Sequence, residues 1–205
     1  MRVLPSGSAA VLVELEDLDQ VLALYAALAE EPPEGVVDIV PAARTVLLTT
    51  DPARTSPAAV AEAVRRTTPR AESRSAGDVI ELPVHYDGED LGELAGLLGI
   101  GPDELVRRHT GTEWTVAFCG FAPGFGYLTQ PGGEWDVPRR STPRTKVPPG
   151  SVGLAGEFSG VYPRESPGGW QLIGRTDIAV FDLAREPAAL LRPGVRVRFV
   201  DAGRG

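Results

Sequence analysis

The chain is poor in the residues that build self-contained catalytic or metal centres. Its 205 residues include one cysteine and two histidines. A single thiol excludes an internal disulfide, and so few cysteine and histidine ligands cannot assemble an ordinary structural zinc site. No glycine precedes a lysine, and neither a G-x-S-x-G nucleophile elbow nor a G-x-G-x-x-G loop after a strand occurs. These absences indicate that the chain does not carry a complete active site.

Long apolar runs and excess positive charge are missing as well. No stretch approaches the roughly 18 apolar residues of a membrane span, and the sequence does not start with the charged-then-apolar pattern of a signal peptide. The formal net charge is −8, so nucleic acids and anionic membranes would repel the chain at long range. The composition therefore predicts a globular, cytoplasmic protein that binds neither nucleic acid nor a membrane.

What the sequence has in abundance is concentrated in residues 118–175. Glycine and proline fill 20 of these 58 positions, and 8 of the 13 aromatic residues lie there too. Glycine and proline at this density disfavour long helices, whereas disordered segments are poor in aromatic residues. We therefore predict an ordered region of short strands, tight turns and long loops.

The first part of the chain alternates between strand and helix patterns. Strand patterns occupy residues 2–15 (a strand or hairpin), 36–41, 44–50 and 79–86. A helix capped by Asp17 or Asp19 follows the first of them, and Ser56 before Pro57 predicts the start of another. The order β, α, β, β, α, β predicts a small split βαβ, ferredoxin-like unit.

A polar stretch without periodicity, residues 67–78, separates this unit from the rest of the chain. It predicts two domains, an N-terminal α/β domain (1–77) and a C-terminal β-barrel domain (78–205). The predicted fold class is α+β.

The second domain begins with short helices and continues as strands. Asp90 with Glu93 is typical of a capping pair for a short helix. From Trp114 onward the sequence indicates only strands and turns, which suits a closed β-barrel with long loops. Residues 178–183 are among the predicted strands, and the alternation in 195–200 fits an edge or half-exposed strand.

Four sequence blocks stand in the glycine- and proline-rich region: GFAPGFGYL (120–128), PRRSTPRTKVPPGSVGLAG (138–156), GVYP (160–163) and SPGGWQLIGRT (166–176). Together they resemble the subunit 1 family named after allophanate hydrolase, which includes the B component of the bacterial ATP-dependent 5-oxoprolinase and sporulation-kinase inhibitor proteins. The resemblance implies a cyclophilin-like barrel for the second domain. It also implies a heteromeric complex with a C-type partner (allophanate hydrolase subunit 2-like) and an A-type partner, in which ATP is the cofactor of the complex.

The resemblance implies that such a complex opens the lactam of 5-oxoproline to L-glutamate. A five-membered amide is unreactive, and phosphorylation of its oxygen would create a leaving group that water can displace. Two other hypotheses stay open: a binding protein that inhibits a sensor histidine kinase, and a subunit that acts on allophanate or another urea-derived amide. Prolyl isomerase activity would rest on fold analogy alone.

The loop 120–128 combines turn residues with aromatic rings. Its prolines and glycines would make it stiff and allow a close approach, so that the rings line a cleft. Turn chemistry with core aromatics is the alternative. With the resemblance, we interpret as pocket residues Phe121, Pro123, Gly124, Phe125 and Tyr127.

The run PRRSTPRTK places Arg139, Arg140, Arg144 and Lys146 within eight residues without an acidic side chain. A solvated basic loop is the common meaning of such a run. Flanking prolines, however, restrict the backbone and hold the guanidinium groups in place, which suits bidentate recognition of carboxylate or phosphate. Two interpretations therefore remain open: the three arginines form an anion site or a partner contact, or they belong to a solvated loop. We expect Arg144 to matter most because prolines flank its segment on both sides.

The remaining candidates are dispersed. His109 ends a predicted helix, where a cation would favour the helix dipole, and it is also a pocket candidate. Cys119 is interpreted as a structural thiol. Loop-shaping or partner-contacting roles are assigned to Pro148, Gly150, Tyr162, Gly168, Gly169 and Trp170. The sequence identifies no catalytic residue and no metal site.

Overall fold

The structure, a computed structural model, describes residues 1–70, 79–130, 132 and 135–203. The chain divides into two compact units, Met1–Arg74 and Ser75–Gly205. The domain boundary expected at 77/78 falls within 71–78, outside the described residues. None of the described helices is long and apolar enough to cross a membrane.

The first unit is a four-stranded antiparallel sheet with two helices. Its elements are β1 (Arg2–Ser6), β2 (Ala10–Glu14), α1 (Leu18–Glu30), β3 (Val36–Pro41), β4 (Thr45–Thr50) and α2 (Pro57–Arg66). The strand order β1-β2-β4-β3 puts β4 between β2 and β3, so that β2, α1 and β3 form a split βαβ unit. Alternate residues of the two central strands are buried, as in a sheet covered on one face: Val11, Val13, Val46 and Leu48.

Both helices of this unit begin as the sequence predicts. The Asp17 carboxylate accepts a hydrogen bond from the backbone N–H of Gln20, and the Ser56 hydroxyl accepts one from Ala59. Pro57 stands in the first turn of α2, where its missing N–H leaves no helical bond unmade.

The second unit contains the remaining elements. They are β5 (Val79–Val84), α3 (Leu91–Leu97), α4 (Pro102–Thr110), β6 (Glu113–Cys119), β7 (Gly126–Thr129), β8 (Arg144–Val147), β9 (Ser151–Ala155), β10 (Phe158–Val161), β11 (Ser166–Gly168), β12 (Gln171–Arg175) and β13 (Arg196–Asp201). Seven strands form one sheet in the order β12-β9-β10-β7-β6-β13-β5, and β8 and β11 form a separate ribbon.

An isolated bridge joins the two edges of the seven-stranded sheet. His85, directly after β5, exchanges backbone hydrogen bonds of 2.8 and 2.9 Å with Arg175 of β12. The sheet is thereby nearly closed into a barrel, whose main core includes Trp114, Leu128, Leu154, Ile173 and Phe199. The predicted α+β fold class, a split βαβ unit followed by a β-barrel, is confirmed.

The strand predicted at residues 79–86 forms as β5, but its predicted place in the first sheet is wrong, and the strand predicted at residues 178–183 does not form. Residues 79–86 do not complete the first sheet, because β5 pairs in parallel with β13 and β1 occupies the edge beside β2. Residues 178–183 form only an isolated bridge from Phe181 to Ala189. Arg185 donates hydrogen bonds to the carbonyl oxygens of Ala179, Pro187 and Ala188. These bonds hold the segment as a compact loop.

The alternating pattern at the C-terminal end was compatible with an edge or a half-exposed strand, and the second description is correct. Strand β13 lies between β6 and β5, so it is internal to the sheet. Its buried residues Val197 and Phe199 alternate with arginines, because one face packs on the core and the other is solvated.

Candidate functional site

The four sequence blocks meet around one aromatic cluster in the second unit. Phe125, which is almost fully buried, packs edge-to-face against Tyr162 and Trp170, with ring centroids 5.3 Å apart in both pairs. Tyr127 contacts the ring of Trp170 at 5.6 Å. Val147 of β8 belongs to the same apolar cluster. Residues from all four blocks are therefore within one packed group.

The turn of the first block is tightly constrained. Gly124 has φ 82°, and a Cβ atom there would lie 2.4 Å from the Cβ of Phe181, so only glycine fits. Phe121 has φ 66° although it is not glycine, which is a strained backbone conformation of the kind found at functional sites. The residue is 57% exposed, and its ring stands edge-on to the ring of Phe125. Pro123 lies between these residues, in the same turn.

The arginine run leads into the β8–β11 ribbon. Gly168 pairs with Arg144, and a Cβ atom at Gly168 would lie 2.3 Å from the Tyr162 hydroxyl. Glycine at this position allows the ribbon to approach the aromatic cluster. Gly169 is more open, since a Cβ atom there would come no closer than 3.7 Å to Pro143.

The turn between β8 and β9 contains two further candidates, Pro148 and Gly150. Gly150 has φ 80°, and a Cβ atom there would lie 2.4 Å from the carbonyl oxygen of Thr176. Glycine at position 150 thus allows this turn to approach Thr176 closely, and neither Pro148 nor Gly150 belongs to the apolar cluster around Phe125.

A buried carboxylate holds two of the arginines. Asp90 Oδ1 accepts hydrogen bonds from Arg140 Nη1 at 2.5 Å and from Arg144 Nη2 at 2.8 Å. Its Oδ2 accepts the backbone N–H of Leu172 at 2.7 Å. The Asp90 side chain is only 2% exposed. This carboxylate therefore connects the arginine run to β12.

The sequence suggested a different role for Asp90. It does precede α3, but among the described residues its carboxylate makes no capping hydrogen bond to that helix, because both oxygens are occupied elsewhere. Burial alone would raise the pKa of Asp90, yet the hydrogen bonds from Arg144 and Leu172 and the charges of both arginines outweigh it and lower the pKa. Asp90 is therefore ionised at neutral pH.

A second carboxylate reaches Arg144 from the surface. Glu89 accepts a hydrogen bond of 3.1 Å from Arg144 Nη2, and its side chain is 79% exposed. Exposed ion pairs contribute about 0 to 1 kcal/mol, whereas removing one partner from a buried pair costs about 3 to 5 kcal/mol. Asp90 is thus the fixed counter-ion of Arg144, and Glu89 a weakly held one.

Arg139 differs from its neighbour Arg140 because it is exposed. Burial raises the pKa of Tyr162 to about 12, and the positive charge of Arg139 opposes this effect. Burial also raises the pKa of Tyr127, again opposed by Arg139.

His109 lies apart from the arginines, beneath another cleft. It is completely buried in α4, with Nδ1 2.7 Å from the Tyr86 hydroxyl and Nε2 2.9 Å from the Ser159 hydroxyl. Burial lowers the pKa of His109 to about 3, so the ring is neutral and cannot act as the helix-terminal cation that we expected. Tyr86 lines a cleft of ≈ 370 Å³ whose walls include Asp87, Asp103 and Asp201.

Cys119 fits the predicted structural role. Its thiol donates a hydrogen bond to the carbonyl oxygen of Leu191 at 3.3 Å, and burial raises its pKa, which keeps it protonated and unreactive. Within the described part of the chain, no group of three or more His, Cys, Asp or Glu side chains is arranged to hold a metal ion.

Comparison with known proteins gives consistent matches. The family model described as carboxyltransferase domain, subdomain C and D, matches residues 1–191. The chain is 47% identical over 129 residues to a protein named as the B component of 5-oxoprolinase from Escherichia coli O157:H7, covering 62% of this chain and 59% of that protein. It is 46% identical over 125 residues to a Bacillus subtilis (strain 168) protein of the same name, covering 60% of this chain and 52% of that protein.

A solved structure matches over its full length. The crystal structure of the protein PH0987 from Pyrococcus horikoshii has a TM-score of 0.58 and 36% sequence identity, with 99% of each chain covered. The chain spans little more than half the length of the two curated relatives.

Proposed function

Because the chain belongs to the carboxyltransferase-domain family of subdomains C and D, we propose that it is a non-autonomous subunit of an ATP-dependent 5-oxoprolinase. Together with a C-type partner and an A-type partner, it opens 5-oxoproline to L-glutamate. The observation that carries this proposal is the identity to two bacterial proteins named as the B component of 5-oxoprolinase.

The cluster around the four blocks offers groups that suit such a substrate. 5-Oxoproline combines a small ring with a carboxylate and a lactam carbonyl. The exposed ring of Phe121 offers an apolar surface, and guanidinium groups recognise carboxylates through paired hydrogen bonds. We therefore assign substrate contacts to Phe121, Tyr127, Arg139 and Arg144, with Pro123, Gly124 and Phe125 shaping the loop.

ATP is assigned to the complex rather than to a cradle in this chain. Phosphate is bound best at helix N-termini that follow glycine-rich loops. Among the described helices, α4 follows glycines, but its first turn contains Asp103 and Glu104, whose charges would repel phosphate. The N-terminus of α4 therefore does not suit the phosphates of a nucleoside triphosphate, and the chemistry that ATP supplies, activation of the lactam oxygen, is left to the assembled enzyme.

Co-expression with the two candidate partners tests the proposal. A tag on this chain should recover both partners, and the purified complex should form glutamate from 5-oxoproline only when ATP is present. The isolated chain should neither hydrolyse ATP nor open the lactam. Recovery of this chain with a sensor histidine kinase and without lactam opening would replace the proposal by the regulatory hypothesis, and ATP-dependent hydrolysis of a urea-derived amide alone would change the substrate class.

A further inference from the structure

We infer that Glu89 is a replaceable counter-ion, which occupies Arg144 until an oxyanion of the ligand displaces it. The inference rests on the proposed function and specifies how its anion site works. It concerns the group formed by Arg140 and Arg144 with two carboxylates, those of Glu89 and Asp90.

Without Glu89, the other three members of this group would carry one unbalanced positive charge. Two guanidinium groups share the single buried carboxylate of Asp90, so one positive charge is left over. Glu89 balances it from the surface through one hydrogen bond to Arg144 Nη2. The Arg144 side chain itself is only 16% exposed, and a poorly solvated charge attracts a counter-ion more strongly than an exposed one does.

The two carboxylates are held very differently. Asp90 is buried and uses both oxygens, one for the two arginines and one for the Leu172 amide. Glu89 is exposed and makes one contact of 3.1 Å. An incoming anion will therefore displace Glu89, while Asp90 keeps both guanidinium groups in place.

A ligand can satisfy Arg144 better than Glu89 does. Among the described residues, Arg144 Nη1 and Arg140 Nε are buried without a hydrogen-bond acceptor. A carboxylate or phosphate that takes the place of Glu89 at Nη2 can offer a second oxygen to Nη1 once the atoms that cover this buried nitrogen shift. This is the two-bond arrangement that makes guanidinium–oxyanion pairs strong. The shared chemistry of the ligand is thus a planar or tetrahedral oxyanion, from the substrate or from a phosphoryl group.

The test compares two exposed glutamates. Glu89→Gln removes the replaceable charge, and Glu165→Gln is the matched control, because Glu165 is also exposed and pairs with Lys146 of β8 at 3.2 Å. The intact chain is titrated with orthophosphate, 5-oxoproline and 2-pyrrolidinone, which lacks the carboxylate, and binding is followed by the shift in Tm. Glu89→Gln should lower the Kd for the oxyanions about threefold, and Arg144→Lys should raise it at least about tenfold.

The three probes separate the possible ligands. If Glu89→Gln lowers the Kd for 5-oxoproline alone, the site binds a substrate carboxylate. If it lowers the Kd for phosphate alone, the site binds a phosphoryl group. The substitution should not change the binding of 2-pyrrolidinone. The inference is overturned if Glu89→Gln binds the oxyanions no better than wild type or Glu165→Gln, or if no variant binds them. If Glu89→Gln behaves as expected while the assembled complex does not open 5-oxoproline, the proposed function fails and the inference about Glu89 stands.

Discussion

Replacing Asp90 by asparagine should destabilise the second unit strongly. The substitution keeps the size of the side chain but removes the buried carboxylate that the two arginines share. Leaving a buried charge without its partner costs about 3 to 5 kcal/mol, so we expect a loss of this size in the free energy of unfolding at pH 7. Urea denaturation followed by tryptophan fluorescence measures it, since all three tryptophans (Trp114, Trp135 and Trp170) belong to the second unit.

The pH dependence of this loss provides a second check. The pKa of Asp90 is lowered in the folded state, so its contribution is present above the unfolded pKa of about 4 and disappears as the pH falls further. The difference between wild type and Asp90→Asn should therefore narrow below about pH 4. Glu89→Gln is the matched control and should cost at most about 1 kcal/mol. Equal losses for the two variants at pH 7 would refute the assignment of Asp90 as the fixed counter-ion.

Three further predictions concern separate features of the second unit. Because the pKa of His109 is lowered to about 3 in the folded protein, acidification protonates this histidine in the unfolded chain first. The free energy of unfolding of wild type should therefore fall by about 2 kcal/mol between pH 7 and 5, and that of His109→Gln should not. In urea titrations, Gly124→Ala should cost at least about 1 kcal/mol more than Gly194→Ala, because both glycines have positive φ but only the first meets another side chain. Phe121→Ala should reduce glutamate formation by the complex at least about tenfold with little change in Tm. Leu183 is also exposed, and Leu183→Ala should change neither quantity. An equal effect of the two substitutions would show that Phe121 is not part of the site.

Local signals in the sequence were sufficient for much of the fold. The caps at Asp17 and Ser56 depend on neighbours three residues away, and the family was identified from four blocks that are each contiguous in the chain. The pairing partners of the strands were harder to predict from the sequence. The pattern of 79–86 shows that a strand forms, but its pairing with β13, more than one hundred residues later, depends on closure of the barrel rather than on the strand itself.

The candidate site was also predictable only where its residues form a local pattern in the sequence. The arginine run and the aromatic loop were identifiable because each is a dense local pattern. Asp90 was not, since its partners Arg140, Arg144 and Leu172 lie 50 to 82 residues further along the chain. The one available signal was an acidic residue placed before a helix, and it favoured a cap. A buried aspartate that leaves its own helix uncapped is recognisable only once the strands are assembled.

The most direct test of the central claim is the rate of glutamate formation as this chain is added to fixed amounts of the A-type and C-type partners with ATP and 5-oxoproline. The account predicts a rate near zero without the chain, a rise that saturates once the partners are occupied, and a much lower plateau with Arg144→Lys. A partner pair that turns over equally well without this chain, or turnover by this chain alone, would contradict it.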